Sequence, residues 1–122
     1  MQRRVEQVNI LIRDELANII DREVDLPEKT FVTITRVDTS RDLRYANVFI
    51  SVLGEAKEAE NVKESEYVLD IIEKNIYNIQ QTLNRRLRMR PVPKIKFLID
   101  REEIKREIIE KSLAELKKKG DL

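Results

Sequence analysis

Apolar residues along this chain recur at helical spacing in some stretches and alternate at strand spacing in others, and each change of period marks an element boundary. Val5, Val8, Ile12, Leu16 and Ile19 or Ile20, with Glu23, share one face of a first helix, leaving Arg3, Arg4, Glu6, Arg13 and Asp14 outside; it ends near Val24. Proline at position 27 disfavours helix in the residue before it, and the β-branched run Phe31–Val37 then predicts a strand. After the polar turn Thr39-Ser40-Arg41-Asp42, Ala46, Val48, Ile50 and Val52 alternate with Asn47, Phe49, Ser51 and Leu53 up to Gly54, which predicts a second strand antiparallel to the first.

Leu69, Ile72, Ile76, Ile79, Leu83 and Leu87 return at helical spacing and predict helix over 62–87, as one piece or two. Pro91-Val92-Pro93 stops it. Ile95, Phe97 and Ile99 then alternate with Lys94, Lys96 and Leu98 as a third strand. Asp100 with Glu103 is spaced as a capping pair for a last helix whose buried side would be Ile104, Ile108, Leu113 and Leu116, closed by Lys117-Lys118-Lys119-Gly120. The expected fold is α+β: the order α-β-β-α-(α)-β-α of a KH-like type II arrangement, with a three-stranded sheet packed on helices and an added C-terminal helix. Residues 1–100 would form the KH-like unit, and 101–122 a helix and basic tail of the same domain.

With 122 residues and 41% hydrophobic content, the chain is sized for one core, and its longest apolar runs are too short to span a bilayer. The first residues lack the apolar core of a signal peptide, so a cytoplasmic protein is expected. There is no Cys and no His, which removes disulfides, thiolate nucleophiles and the commonest general base and metal ligand. Two glycines, Gly54 and Gly120, cannot build a Walker loop, a dinucleotide fingerprint or the Gly-x-x-Gly clamp of an ordinary KH domain. A non-enzyme with no cofactor, metal or small-molecule substrate is the expectation.

Charge gives the positive indication. The formal net charge is only +1, yet between Lys74 and Ile99 stand Lys74, Arg85, Arg86, Arg88, Arg90, Lys94 and Lys96 with no acid, while the stretch from Glu55 to Glu73 is strongly acidic. Local field governs phosphate binding, because exposed charges separated by more than about 8 to 10 Å are largely screened. A helix dipole accounts for one or two cations at a helix end but not for this set, so nucleic-acid binding is expected there. Arg41 and Arg44 are further contact candidates, and Arg3 and Arg4, placed against the dipole of the first helix, hint at a partner. Ser40 and Asp42 read as turn chemistry, and the strand positions of Tyr45, Phe49 and Phe97 favour core packing over base stacking.

Three stretches together resemble the bacterial ribosome-binding factor A family: Arg4-Val5 entering the first helix, the segment from Val37 through Ser40-Arg41-Asp42-Leu43 to Phe49, and Leu87-Arg88-Met89-Arg90-Pro91-Val92-Pro93 through Phe97 with Asp100. The resemblance implies a KH-like protein, acting as a monomer, that binds the small (30S) ribosomal subunit and its 16S rRNA late in assembly, above all at low temperature. Arg85, Arg86, Arg88, Arg90, Lys94, Arg41, Arg44, Arg3 and Arg4 would form its RNA contacts. The family carries an Ala-x-Gly kink between its central helices, which falls here on Asn75-Ile76-Tyr77; both signature residues are absent, and the resemblance favours a break there over a straight helix. Competing readings are a protein-binding adaptor using the acidic face, another KH-like RNA-binding protein, or a metal-dependent nuclease built from Asp38, Asp42, Asp100, Glu102 and Glu103.

Overall fold

A computed structural model of the chain describes residues 2–54, 58–102 and 113. The first helix, α1 (Gln2–Glu23), is about 33 Å long at 1.5 Å per residue. It buries Val8, Ile12, Leu16, Ile19 and Ile20. Strands β1 (Phe31–Thr39) and β2 (Tyr45–Leu53) form the antiparallel hairpin, and β3 (Lys94–Ile99) joins β2 in parallel, giving the order β1-β2-β3. The helical region is split into α2 (Glu58–Lys74) and α3 (Ile76–Arg86), so the described order is α-β-β-α-α-β. Beyond Arg101 and Glu102 the expected C-terminal helix, with its capping Glu103 and the Lys117–Lys119 run, lies outside the described residues apart from Leu113.

α1 packs on β1 and α3, and α2 packs on β2 and β3, so these helices cover one face of the sheet. Ile12 and Leu16 share one core with Val48 and Ile50 of the central strand, together with Val68, Ile72, Ile79, Leu83 and Phe97. Strict alternation through β1 would turn Ile34 and Arg36 inward together. A bulge between Ile34 and Arg36 re-phases the strand, so that Ile34 and Val37, three residues apart, are both buried while Arg36 stays outside. The bulged Thr35 donates its hydroxyl to the Phe49 carbonyl and to Asp100 Oδ2 (2.7 Å), tying the first strand to the end of the third.

The break between α2 and α3 falls at Asn75, as the resemblance implies. Its geometry is not left-handed: Asn75 has φ −100° and ψ 6°, which any residue can adopt. The side chain donates from Nδ2 back to the Ile71 carbonyl (2.8 Å), serving the orphan end of α2 and not the start of α3. Ile76 and Tyr77 belong to the first turn of α3, with Tyr77 exposed.

Candidate nucleic-acid interface

The turn between β1 and β2 is organised by Asp42. Its Oδ1 accepts from Ser40 Oγ (2.7 Å) and from the Arg44 amide (3.2 Å), and Ser40 Oγ in turn accepts from the Tyr45 amide. The Ser40 hydroxyl first, then the Arg44 amide and guanidinium, hold the Asp42 carboxyl below its ordinary range. Ser40 and Asp42 are thus turn residues, as expected. Leu43 sits at φ 61°, a left-handed backbone uncommon for leucine, with its side chain packed against the core.

Against this turn stands the exit from α3. Leu87 takes an extended backbone as the C-cap, and Arg88-Met89-Arg90-Pro91 continue the chain on one side of a groove that also includes Arg4 of α1, with a cis bond at Arg90–Pro91. Gln80 fixes the far end of this loop: its Oε1 accepts from the Ile95 amide (2.9 Å) and its Nε2 donates to the Pro93 carbonyl (3.1 Å), so one side chain pairs with β3 as a short strand would. The result is a groove of about 390 Å³ lined by Arg4, Asp42, Leu43, Arg88, Met89, Arg90 and Pro91. Three cations face one carboxylate, and that carboxylate is already occupied by the turn. Arg44 adjoins the groove, its Nε 4.0 Å from Asp42 Oδ2.

The other candidates are distributed. Arg85 donates to Thr82 Oγ1 (3.2 Å), whose hydroxyl donates to Glu23, and it lines a second groove of about 460 Å³ with Glu23, Asn75, Tyr77 and Gln81. The two grooves touch α1 at residues 4 and 23, about 28 Å apart along the helix. Arg86 is exposed in the last turn of α3, and Arg3 and Arg41 are exposed outside both grooves. Lys94 and Lys96 point out from the face of the sheet opposite the helices, as expected. Besides Arg85, two more cations have internal partners: Arg90 Nη1 donates to the carbonyls of Leu87 (3.0 Å) and Met89 (2.7 Å), and Lys74 pairs with Asp70 (3.4 Å).

Several expectations need correction. Phe97 is buried, but Tyr45 is 61% exposed, because the residue opening β2 falls on the outer face, and Phe49 lies on that same face under the Arg36 guanidinium, 4.1 Å from the ring centroid. The carboxylates proposed for a metal site have separate partners: Asp38 pairs with Arg36 (3.2 Å), Asp42 holds the turn and Asp100 accepts from Thr35, while Glu103 lies outside the described residues. Among the described residues no three acids converge. Glu64 leaves the acidic face: Oε1 accepts from Thr30 (3.3 Å) and Oε2 is buried beside Gly54, where any side chain would collide with the carboxylate. No described helix is long and apolar enough to cross a membrane. Gln80 and the Glu23–Thr82–Arg85 chain carried no sequence signal, since a polar residue on an amphipathic helix has no marked partner.

Residues 4–113 match the family model for ribosome-binding factor A. The chain belongs to that family. Ribosome-binding factor A of Ectopseudomonas mendocina is 34% identical over 97% of this chain and 92% of its own length. The crystal structure of ribosome-binding factor A from Thermus thermophilus matches with a TM-score of 0.64 at 22% identity, covering 80% of this chain and 96% of that one. A homology model of the Thermus thermophilus factor, fitted into the cryo-EM map of its 30S complex, matches with a TM-score of 0.56 at 23% identity over 74% and 88% of the two chains. At such identities both show the fold. The three stretches that carry the family likeness are distant in sequence, and the groove of Arg4, Asp42, Leu43, Arg88 and Arg90 is where they meet.

Proposed function

We propose that this member of the ribosome-binding factor A family binds the small ribosomal subunit through its 16S rRNA and supports late maturation and rRNA processing in the cytoplasm, most of all at low temperature, without catalysis of its own. The observation that carries the reading is the cationic groove formed by Arg4, Arg88 and Arg90, together with a relative of the same fold that is placed in a 30S complex. Arginine forks suit phosphate oxygens, and a rigid groove meets folded RNA by shape and charge more than by base identity. Arg88 reaches the phosphates from the groove, and Arg86, two residues before it in the last turn of α3, reaches them from outside the groove. Arg4 adds a third cation, and Arg90 keeps the loop in form through its bonds to Leu87 and Met89.

The test is binding of the triple variant Arg4→Gln/Arg86→Gln/Arg88→Gln to purified small subunits over a salt series, with circular dichroism as the check on folding. Each neutralised phosphate contributes roughly 0.7 to 0.9 to the log–log salt slope, so the triple variant should lose affinity and roughly 2.1 to 2.7 units of slope. Unchanged affinity and slope would remove the groove and the last turn of α3 from the interface. A strain expressing only this variant should accumulate unprocessed small-subunit RNA at low temperature, and normal processing there would sink the maturation role.

A further inference from the structure

The face of the sheet turned away from α1, α2 and α3 carries a second arrangement. Tyr45 and Lys94 stand side by side on β2 and β3, Asn47 and Lys96 are the next outward pair, and Phe49 with Leu98 follows. Lys94 and Lys96 are both exposed and have no acid within ion-pair distance among the described residues; they lie two residues, roughly 6.6 Å, apart along one strand. The acid nearest in register, Asp38 opposite Asn47, is neutralised by Arg36. Tyr45 is held firmly, since its amide donates to Ser40 Oγ and its carbonyl accepts from the Ser40 amide (2.8 Å), so the ring is offered from a fixed backbone. The other aromatics of this face differ: Phe49 is covered by Arg36, and Phe31 pairs across with Leu53 beside Thr33 and Ser51. The Tyr45 end joins an open ring to cations with no ion-pair partner among the described residues, and it adjoins the groove through Arg44, whose carbonyl accepts from the Lys94 amide.

We propose that this end of the sheet is a platform for single-stranded RNA: Tyr45 stacks on one base, Asn47 offers its amide to a base edge, and Lys94 and Lys96 meet the flanking phosphates. The inference rests on the RNA-binding reading above and extends it to a second surface. An open aromatic with cations at its side matches the alternation of base and phosphate in an unpaired strand, whereas a duplex keeps its bases stacked internally and offers no face to the ring. An acidic peptide would satisfy the lysines but leave the ring and the amide without a role.

The chain has three tyrosines and no tryptophan, so Tyr67→Phe/Tyr77→Phe leaves Tyr45 as the only strong emitter. Titration of this variant with a ten-nucleotide oligouridylate should quench that emission. In the otherwise wild-type full chain, Tyr45→Ala should weaken oligonucleotide binding roughly tenfold, as loss of one stacked base does, while Tyr45→Phe stays within about twofold. Lys94→Gln/Lys96→Gln should lower the salt slope by about 1.4. Absent quenching, wild-type affinity of Tyr45→Ala, or an RNA duplex bound as tightly with the same dependence on Tyr45, would overturn the platform. So would displacement of the oligonucleotide by an oligoglutamate whose binding also needs Tyr45, since the face would then take an acidic protein segment. If these arms fail while the Arg4/Arg86/Arg88 variant still loses small-subunit binding, the platform is wrong and the groove reading stands.

Discussion

At the scale of single residues, the turn from Ser40 to Arg44 controls how the two surfaces meet. Asp42 supplies one oxygen to Ser40 and the Arg44 amide, which fixes the hairpin and leaves Leu43 in a left-handed backbone that its packing against the core offsets. Because the folded carboxyl is the stronger acid, its charge stabilises the turn fully above the ordinary carboxyl range near pH 4, and that contribution is lost as pH falls through the lower folded value. Ser40→Ala should raise the Asp42 titration midpoint toward an ordinary aspartate, read from its carboxyl carbon by NMR. Should the midpoint stay where it is in the wild type, the Ser40 hydroxyl is not the group that depresses it. The same substitution frees the Tyr45 amide, so it should also loosen the ring that opens β2.

Among the elements, the break at Asn75 shows how a helix can stop without glycine. The Ile71 carbonyl takes the Asn75 amide nitrogen, and the Asn75 backbone amide donates to Ile72 O (3.0 Å) in a tightened last turn. Asn75→Ala should therefore cost about 1 kcal/mol in denaturant unfolding. Asn75→Gly should be less stable again by about 0.5 to 1 kcal/mol, since a negative φ gives glycine no advantage. A glycine variant more stable than the wild type would mean a left-handed break after all. Element types and their order were legible because the buried residues of α1, β2, α3 and β3 keep their period over whole segments. The β1 bulge was not, since one inserted residue changes which side chains face inward without changing the composition of the strand. Tyr45 lies outside the core for a related reason: alternation fixes two faces, and an aromatic does not reveal which of them the helices cover. Of the site, the cations were visible as a charge run without acids, but their division between two grooves and a strand face depends on how α3 packs along α1 and on the loop that Gln80 ties to β3.

Over the whole molecule, near-neutral net charge conceals a polarity in which basic surfaces gather along the α3 exit, the hairpin turn and the outer sheet face, while Glu66, Asp70 and Glu73 are exposed on α2. If RNA is the partner, α2 acts as the repelled side: it orients the approach and weakens unproductive contacts, an effect that reaches only as far as screening allows. Glu66→Gln/Glu73→Gln leaves the Asp70–Lys74 pair intact and removes two exposed charges. Association with small-subunit RNA at low ionic strength should then speed up by a few-fold, unrelated RNA should gain at least as much, and both gains should shrink as salt is raised toward and beyond physiological strength. Stopped-flow mixing of labelled RNA with each protein over a salt series would measure this. A protein-binding adaptor that uses the acidic face makes the opposite forecast, because removing those carboxylates would weaken its grip on the assembling particle at every salt concentration. A slower or weaker complex in the double variant would place α2 in the interface and reverse the polarity argued from the charge layout.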